Sequence, residues 1–95
     1  MKNNYLYKNT IDEIEKSLLL RVPRLQPNEN ADTDCFPYIY WMINKIKELE
    51  GDILADRLKA ARWIGWVLRS VEGWGFWDNT KSRDLIRLDR VEGNE

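Results

Sequence analysis

The run from Asp34 to Gly73, DCFPYIYWMINKIKELEGDILADRLKAARWIGWVLRSVEG, decides the fold. Ile39, Met42, Ile43, Ile46 and Leu49 recur at spacings of three and four, which makes one continuous apolar stripe on a helix. Leu54, Leu58, Ala61, Ile64, Leu68 and Val71 repeat that pattern further on. Between them stands Glu50-Gly51, and glycine is the usual left-handed residue that stops a helix. Asp34 is the expected N-cap of the first helix, with Pro37 tolerated in its first turn. The second helix is predicted from about Asp52 to Gly73. A connection as short as Gly51 leaves two successive helices one arrangement, an antiparallel hairpin.

On the N-terminal side, Thr10-Ile11-Asp12-Glu13 fits a capping box, in which the threonine hydroxyl and the glutamate carboxylate exchange bonds with each other's amides. Ile11, Ile14 and Leu18 follow at helical spacing. Pro23 disfavours helix in the residue before it, so a helix over roughly 11–21 is predicted. Residues 23–34, PRLQPNENADTD, hold two prolines and little to bury, which predicts a polar surface loop. On the C-terminal side, Gly73 to Trp77 reads as a turn. Asp78 or Asn79 then caps a short helix containing Leu85 and Leu88, and residues 91–95 are expected to be a frayed tail. No internal repeat, low-complexity tract or strand pattern competes. The predicted fold is all-α: a single domain over 1–95, with a central helical hairpin and an N-terminal and a short C-terminal helix packed across it.

Ninety-five residues is the size of one small domain, and 43% hydrophobic residues supply one core. Lysine and arginine total 15 against 16 aspartates and glutamates, a balance that argues against a nucleic-acid binder. The C-terminal Lys81, Arg83, Arg87 and Arg90 are offset by Asp84, Asp89 and Glu92, which reads as a solvated helix with local ion pairs. There is no histidine and one cysteine, Cys35. That composition removes most zinc sites, Ser-His-Asp and Cys-His catalysis, and any disulfide within the chain. The opening MKNNYLYKNT lacks a signal-peptide core, and Leu18-Leu19-Leu20 is far too short to span a membrane. A cytoplasmic protein without a cofactor is the expectation.

The informative residues are the tryptophans. At about 100° per residue, Trp63 and Trp66 fall away from the leucine stripe of their helix, with Arg62 and Arg69 between the two faces. Trp41 likewise lies outside the Ile39–Met42–Ile46 stripe, beside Lys45 and Glu48. A helix apolar on two sides is covered on two sides. The cover is the chain's own terminal helices, a second copy of the chain in a homo-oligomer, or a ligand or partner. Lys59 precedes Trp63 by four residues and Arg62 precedes Trp66 by four, so each cation is placed to lie over an indole. The candidate binding residues are therefore Trp41, Lys59, Arg62, Trp63, Trp66 and Arg69.

Catalysis has less to work with. Asp12, Glu13 and Glu15 cluster in one helix, and Glu48, Asp52 and Asp56 follow at intervals of four, a spacing at which facing helices hold magnesium in all-α nucleotide pyrophosphohydrolases. The predicted turn at Gly51 interrupts the second series, and first-turn acids are ordinary partners of the helix dipole. No P-loop, dinucleotide turn or nucleophile elbow is present. No catalytic or metal-binding residue is assigned.

Arg62-Trp63-Ile64-Gly65-Trp66-Val67, then Gly75-Phe76, then Ser82-Arg83-Asp84 through Arg87, resembles the C-terminal part of small helical phage and prophage accessory proteins. The likeness covers residues 62–87, and Leu68-Arg69 stands where that pattern has a glutamine-glycine pair. It implies a phage-encoded protein made in a bacterial cytoplasm, and carries no catalytic residue across. The expected function is that of a non-enzymatic binding protein, a modulator or inhibitor of a host or defence protein acting through its tryptophans and arginines. An oligomeric sponge for a cyclic nucleotide signal is the alternative reading. A magnesium-dependent nucleotide hydrolase using helix carboxylates is the third.

Overall fold

The computed structural model describes residues 4–92, with side chains as far as Arg90. Its elements are α1 (Lys8–Arg21), α2 (Phe36–Lys47), α3 (Leu54–Gly73) and α4 (Asn79–Glu92). Among the described residues there is no strand. In space the helices neighbour one another in the order α4, α1, α2, α3. Trp41 of α2 meets Trp63 of α3, while Leu49 and Lys59, close to the turn, share one groove. As one position climbs the other falls, so the α2–α3 hairpin is antiparallel. α4 is as long as α1 and packs on α1 rather than across the hairpin. Residues 91 and 92, expected to be frayed, continue α4; 93–95 lie outside the described residues.

The core follows the helical spacing in α1 and α2. Ile11, Ile14 and Leu18 of α1 are fully buried, as are Ile39, Ile43 and Ile46 of α2. In α3 the buried set is Ala60, Ile64, Val67, Leu68 and Val71. This corrects the predicted stripe: Leu54 is 61% exposed, Leu58 is 54% exposed and Ala61 is exposed. The helix is turned so that Trp63 meets α2 instead. An indole buries more apolar area than a leucine, and small Ala60 admits a close approach beside it.

The helix ends show where local signals win and where they lose. α3 closes as a Schellman motif: Gly75 has φ of 83°, its amide donates to the Glu72 carbonyl at 3.0 Å, and the Phe76 amide donates to the Val71 carbonyl at 3.0 Å. Gly51 is not left-handed. α2 stops earlier, at Lys47, where the Glu48 amide turns back to the Lys45 carbonyl at 3.0 Å. α2 begins after an extended Cys35 that provides no side-chain cap, not after Asp34. Asp78 caps α4, its carboxylate accepting the Lys81 amide at 3.2 Å. The segment 23–34 is largely exposed, but buried Leu25 pins it to the core and the Asn28 amide donates to the Pro37 carbonyl at 3.1 Å.

The capping box at Thr10 is absent. α1 starts earlier, after Tyr7, which holds a left-handed φ of 57° and offers no side-chain cap. Thr10 is fully buried inside the first turn. The cap comes from α4: the Asp89 carboxylate accepts the Asn9 amide at 2.6 Å and the Thr10 amide at 3.2 Å. It also accepts the Thr10 hydroxyl. A buried carboxylate on the first amides of a helix satisfies orphan donors and the positive end of the dipole together.

Candidate functional site

The groove between the open flank of α2 and the start of α3 is lined by Trp41, Lys45, Glu48, Leu49, Lys59 and Trp63, and it holds about 490 Å³ open to solvent. Trp41 and Lys45 of α2 and, just past its end, Glu48 and Leu49 form one wall, and Lys59 and Trp63 stand one turn apart on the other. Their rings form a ladder. Tyr38 and Trp41 have centroids 5.4 Å apart at 40°, and Trp41 and Trp63 are 5.7 Å apart at 39°. The Lys59 ammonium caps it, 4.7 Å from the Trp63 centroid, as the four-residue spacing predicts. Lys45 pairs with Glu48 at 3.5 Å. Two lysines against one glutamate leave the groove with a net positive charge.

Only three of the six candidate residues meet here: Trp41, Lys59 and Trp63. Arg62, Trp66 and Arg69 of α3 do not line it and are exposed, Trp66 at 45%. Among the described residues the Arg62 guanidinium is not placed over the Trp66 ring as the four-residue spacing predicts, and both residues are exposed. Of the tryptophan–arginine surface expected from the sequence, only Trp41, Lys59 and Trp63 line the groove, and Arg62, Trp66 and Arg69 lie outside it. Trp63 itself is half-buried against the core.

A second aromatic cluster closes the other end of the molecule. Phe36 stacks 4.5 Å from Trp74 and meets Phe76 edge-on at 5.6 Å, and the Arg21 guanidinium lies 3.8 Å from the Phe76 centroid. Trp77 donates its indole N–H to buried Ser82 at 2.9 Å. Trp74 and Trp77 are therefore half-buried structural residues. Their signal in the sequence was the density of rings around two glycines, with no helical period to say which ring faced inward.

The carboxylates form pairs. Glu15 accepts Lys47 at 2.8 Å and the Tyr40 hydroxyl at 3.2 Å, and Glu13 accepts Lys81 at 3.1 Å. Asp56 accepts the Glu50 amide at 2.8 Å, which holds the hairpin turn. Among the described residues no group of three or more acids, cysteines or histidines is placed to hold a metal ion.

Tyr5 donates its hydroxyl to Asp12, and the ammonium groups of Lys8 and Lys47 lie 5.1 Å and 5.5 Å from its ring centroid. Burial, and after it the bond to Asp12, pushes the Tyr5 phenol well above its usual range. Burial, and after it the charge of Glu15, raises Tyr40. Burial alone would raise Asp12, but hydrogen bonds from Lys8 and Tyr5 outweigh it and hold the carboxyl below the ordinary value. A lowered folded value means stability that is present above the ordinary carboxylate pKa of about 3.9 and is lost as acid protonates the folded form. Asp12→Asn should therefore cost about 0.5–1 kcal/mol near neutrality, the scale of a solvent-screened pair, and nothing at pH 2. Urea midpoints of both proteins between pH 2 and 7 check this; parallel curves would show that the pair is energetically silent.

Compared with protein-family models, curated proteins and solved structures, the chain gives no significant match. Among the described residues no helix is long and apolar enough to cross a membrane. The fold and site define a small all-α protein with an aromatic, cationic groove.

Proposed function

We propose that the protein is a non-enzymatic binding protein, a phage-encoded modulator of a host or defence protein, and that the Trp41–Trp63 groove is its contact surface. The observation that carries this reading is the ring ladder flanked by Lys45 and Lys59. Tryptophan supplies large rigid contact area, and unburied ammonium groups at the rim select an acidic partner segment. The groove's openness favours a protein over a small molecule, since small-molecule sites enclose most of their ligand. The phage setting is supported by the likeness of residues 62–87 to phage accessory proteins.

The test is affinity capture from bacterial lysate, followed by titration of the captured and purified partner. Lys45→Glu with Lys59→Glu reverses the rim without touching the core, so melting should change little while partner affinity falls at least tenfold. Equal affinity of both proteins for that partner would remove the groove from the interface. Saturable quenching of tryptophan fluorescence by a nucleotide, lost in the same variant, would replace the protein partner with the nucleotide reading.

A further inference from the structure

The groove carries an acid of its own, at a place where helix electrostatics disfavour one. Glu48 is the first residue past α2, and its φ of −86° and ψ of −11° continue the helical geometry by one step. Its amide turns back to the Lys45 carbonyl at 3.0 Å, which fixes the residue at the negative end of the helix dipole. Cations are favoured there, and α2 has Lys45 and Lys47 in its last turn. The Glu48 carboxylate nevertheless stands there, and it meets the Lys45 ammonium across one turn at 3.5 Å. That is longer than a tight charged hydrogen bond, and both side chains reach water. The two rim lysines are thus held differently. Lys59, on the α3 wall, lies over the Trp63 ring, and among the described residues no carboxylate pairs with it. Lys45, on the α2 wall, already faces a carboxylate. Between the two lie Trp41, Trp63 and Leu49. A segment that suits this lining turns an apolar side chain to the rings and carries an acid on either side of it. One acid finds Lys59 open, and the other finds Lys45 taken.

We propose that Glu48 is an internal competitor: its carboxylate holds the Lys45 position until an acidic peptide segment with an apolar centre displaces it. The proposal rests on the groove being the contact surface, and adds to it the residue that holds affinity down. A loose, solvent-exposed pair is suited to this, because an incoming carboxylate exchanges for it at little cost. Removing the Glu48 charge takes the groove lining from one net positive charge to two. Loss of this acid is therefore expected to tighten binding, whereas loss of an ordinary contact residue weakens it.

The test is Glu48→Gln, which keeps the side chain's shape and takes a charge from the disfavoured end of α2, so melting should hold or rise. The probe is the acetylated and amidated peptide Glu-Glu-Leu-Glu-Glu, titrated against tryptophan fluorescence. The variant should bind it about threefold to tenfold more tightly than the native chain in about 20 mM salt, and less than about twofold more tightly in about 0.5 M salt. Glu29→Gln makes the same charge change in the exposed 23–34 segment and should leave affinity where it was. In a Lys45→Met background most of the gain from Glu48→Gln should vanish, since the competition runs through that lysine. A gain that persists in full there would overturn the proposal, as the acid would act by distant charge alone. So would equal binding by the native chain and Glu48→Gln of a peptide that Lys45→Glu with Lys59→Glu no longer binds; the groove would stand and Glu48 would be idle in it. No saturable binding by Glu48→Gln up to about 5 mM peptide would remove the acidic ligand and the competitor with it. Equal binding by the native chain and the charge-reversed variant would instead remove the groove itself.

Discussion

Asp89→Ala should lower stability by about 3 kcal/mol, making it one of the two most damaging single changes in the molecule. Three donors of α1 end on this one carboxylate: the Asn9 and Thr10 amides and the Thr10 hydroxyl. Tyr7 supplies no substitute cap, and Thr10 is fully buried, so water cannot replace the lost acceptor without opening the α1–α4 contact. For a domain of this size the loss corresponds to a fall in melting temperature of roughly 12–24 °C. Asp89→Asn keeps one acceptor oxygen and gives up the charge, so it should fall between the native chain and alanine. Chemical denaturation of the three proteins measures the series. A cost below 1 kcal/mol for alanine would show that solvent reaches the start of α1.

Ile43→Ala is the second, with an expected cost of about 3–4 kcal/mol from lost transfer energy and the cavity left behind. Ile43 is fully buried in α2, the helix that packs on both α1 and α3, so neither neighbour can close the gap without leaving the other. Leu58→Ala removes a comparable aliphatic volume and should change stability by no more than about 0.5 kcal/mol at low protein concentration. The contrast checks the rotation of α3: equal costs for the two changes would mean that the leucine side of α3 is packed after all.

That contrast also marks how far the fold and site could be read from residues alone. In α2 the spacing of Ile39, Met42, Ile43 and Ile46 allows one apolar face, and that face is buried. In α3 the spacing allows two: Leu54–Leu58–Ala61 and Ala60–Ile64–Val67. Periodicity counts both as apolar stripes, and the choice is made by what α2 presents, a tryptophan seeking another ring. The same ambiguity divided the predicted binding residues, since Trp63 reaches the Trp41 ring while Trp66, three residues on, stays exposed. Capping failed for a related reason. Thr10 matches a local motif, but its partner is 79 residues away, and no local pattern reports a carboxylate arriving from another helix. The Asp78 cap was legible because its partner, the Lys81 amide, lies within the same turn.

The clasp between Thr10 and Asp89 also sets a clock on biosynthesis. A ribosome adding about 5–20 residues per second needs roughly 4–16 s to go from one to the other. Throughout that interval the leading helix has left the decoding centre without the acceptor that fixes its first turn. The hairpin is translated in between, so closure of the domain cannot precede the synthesis of α4.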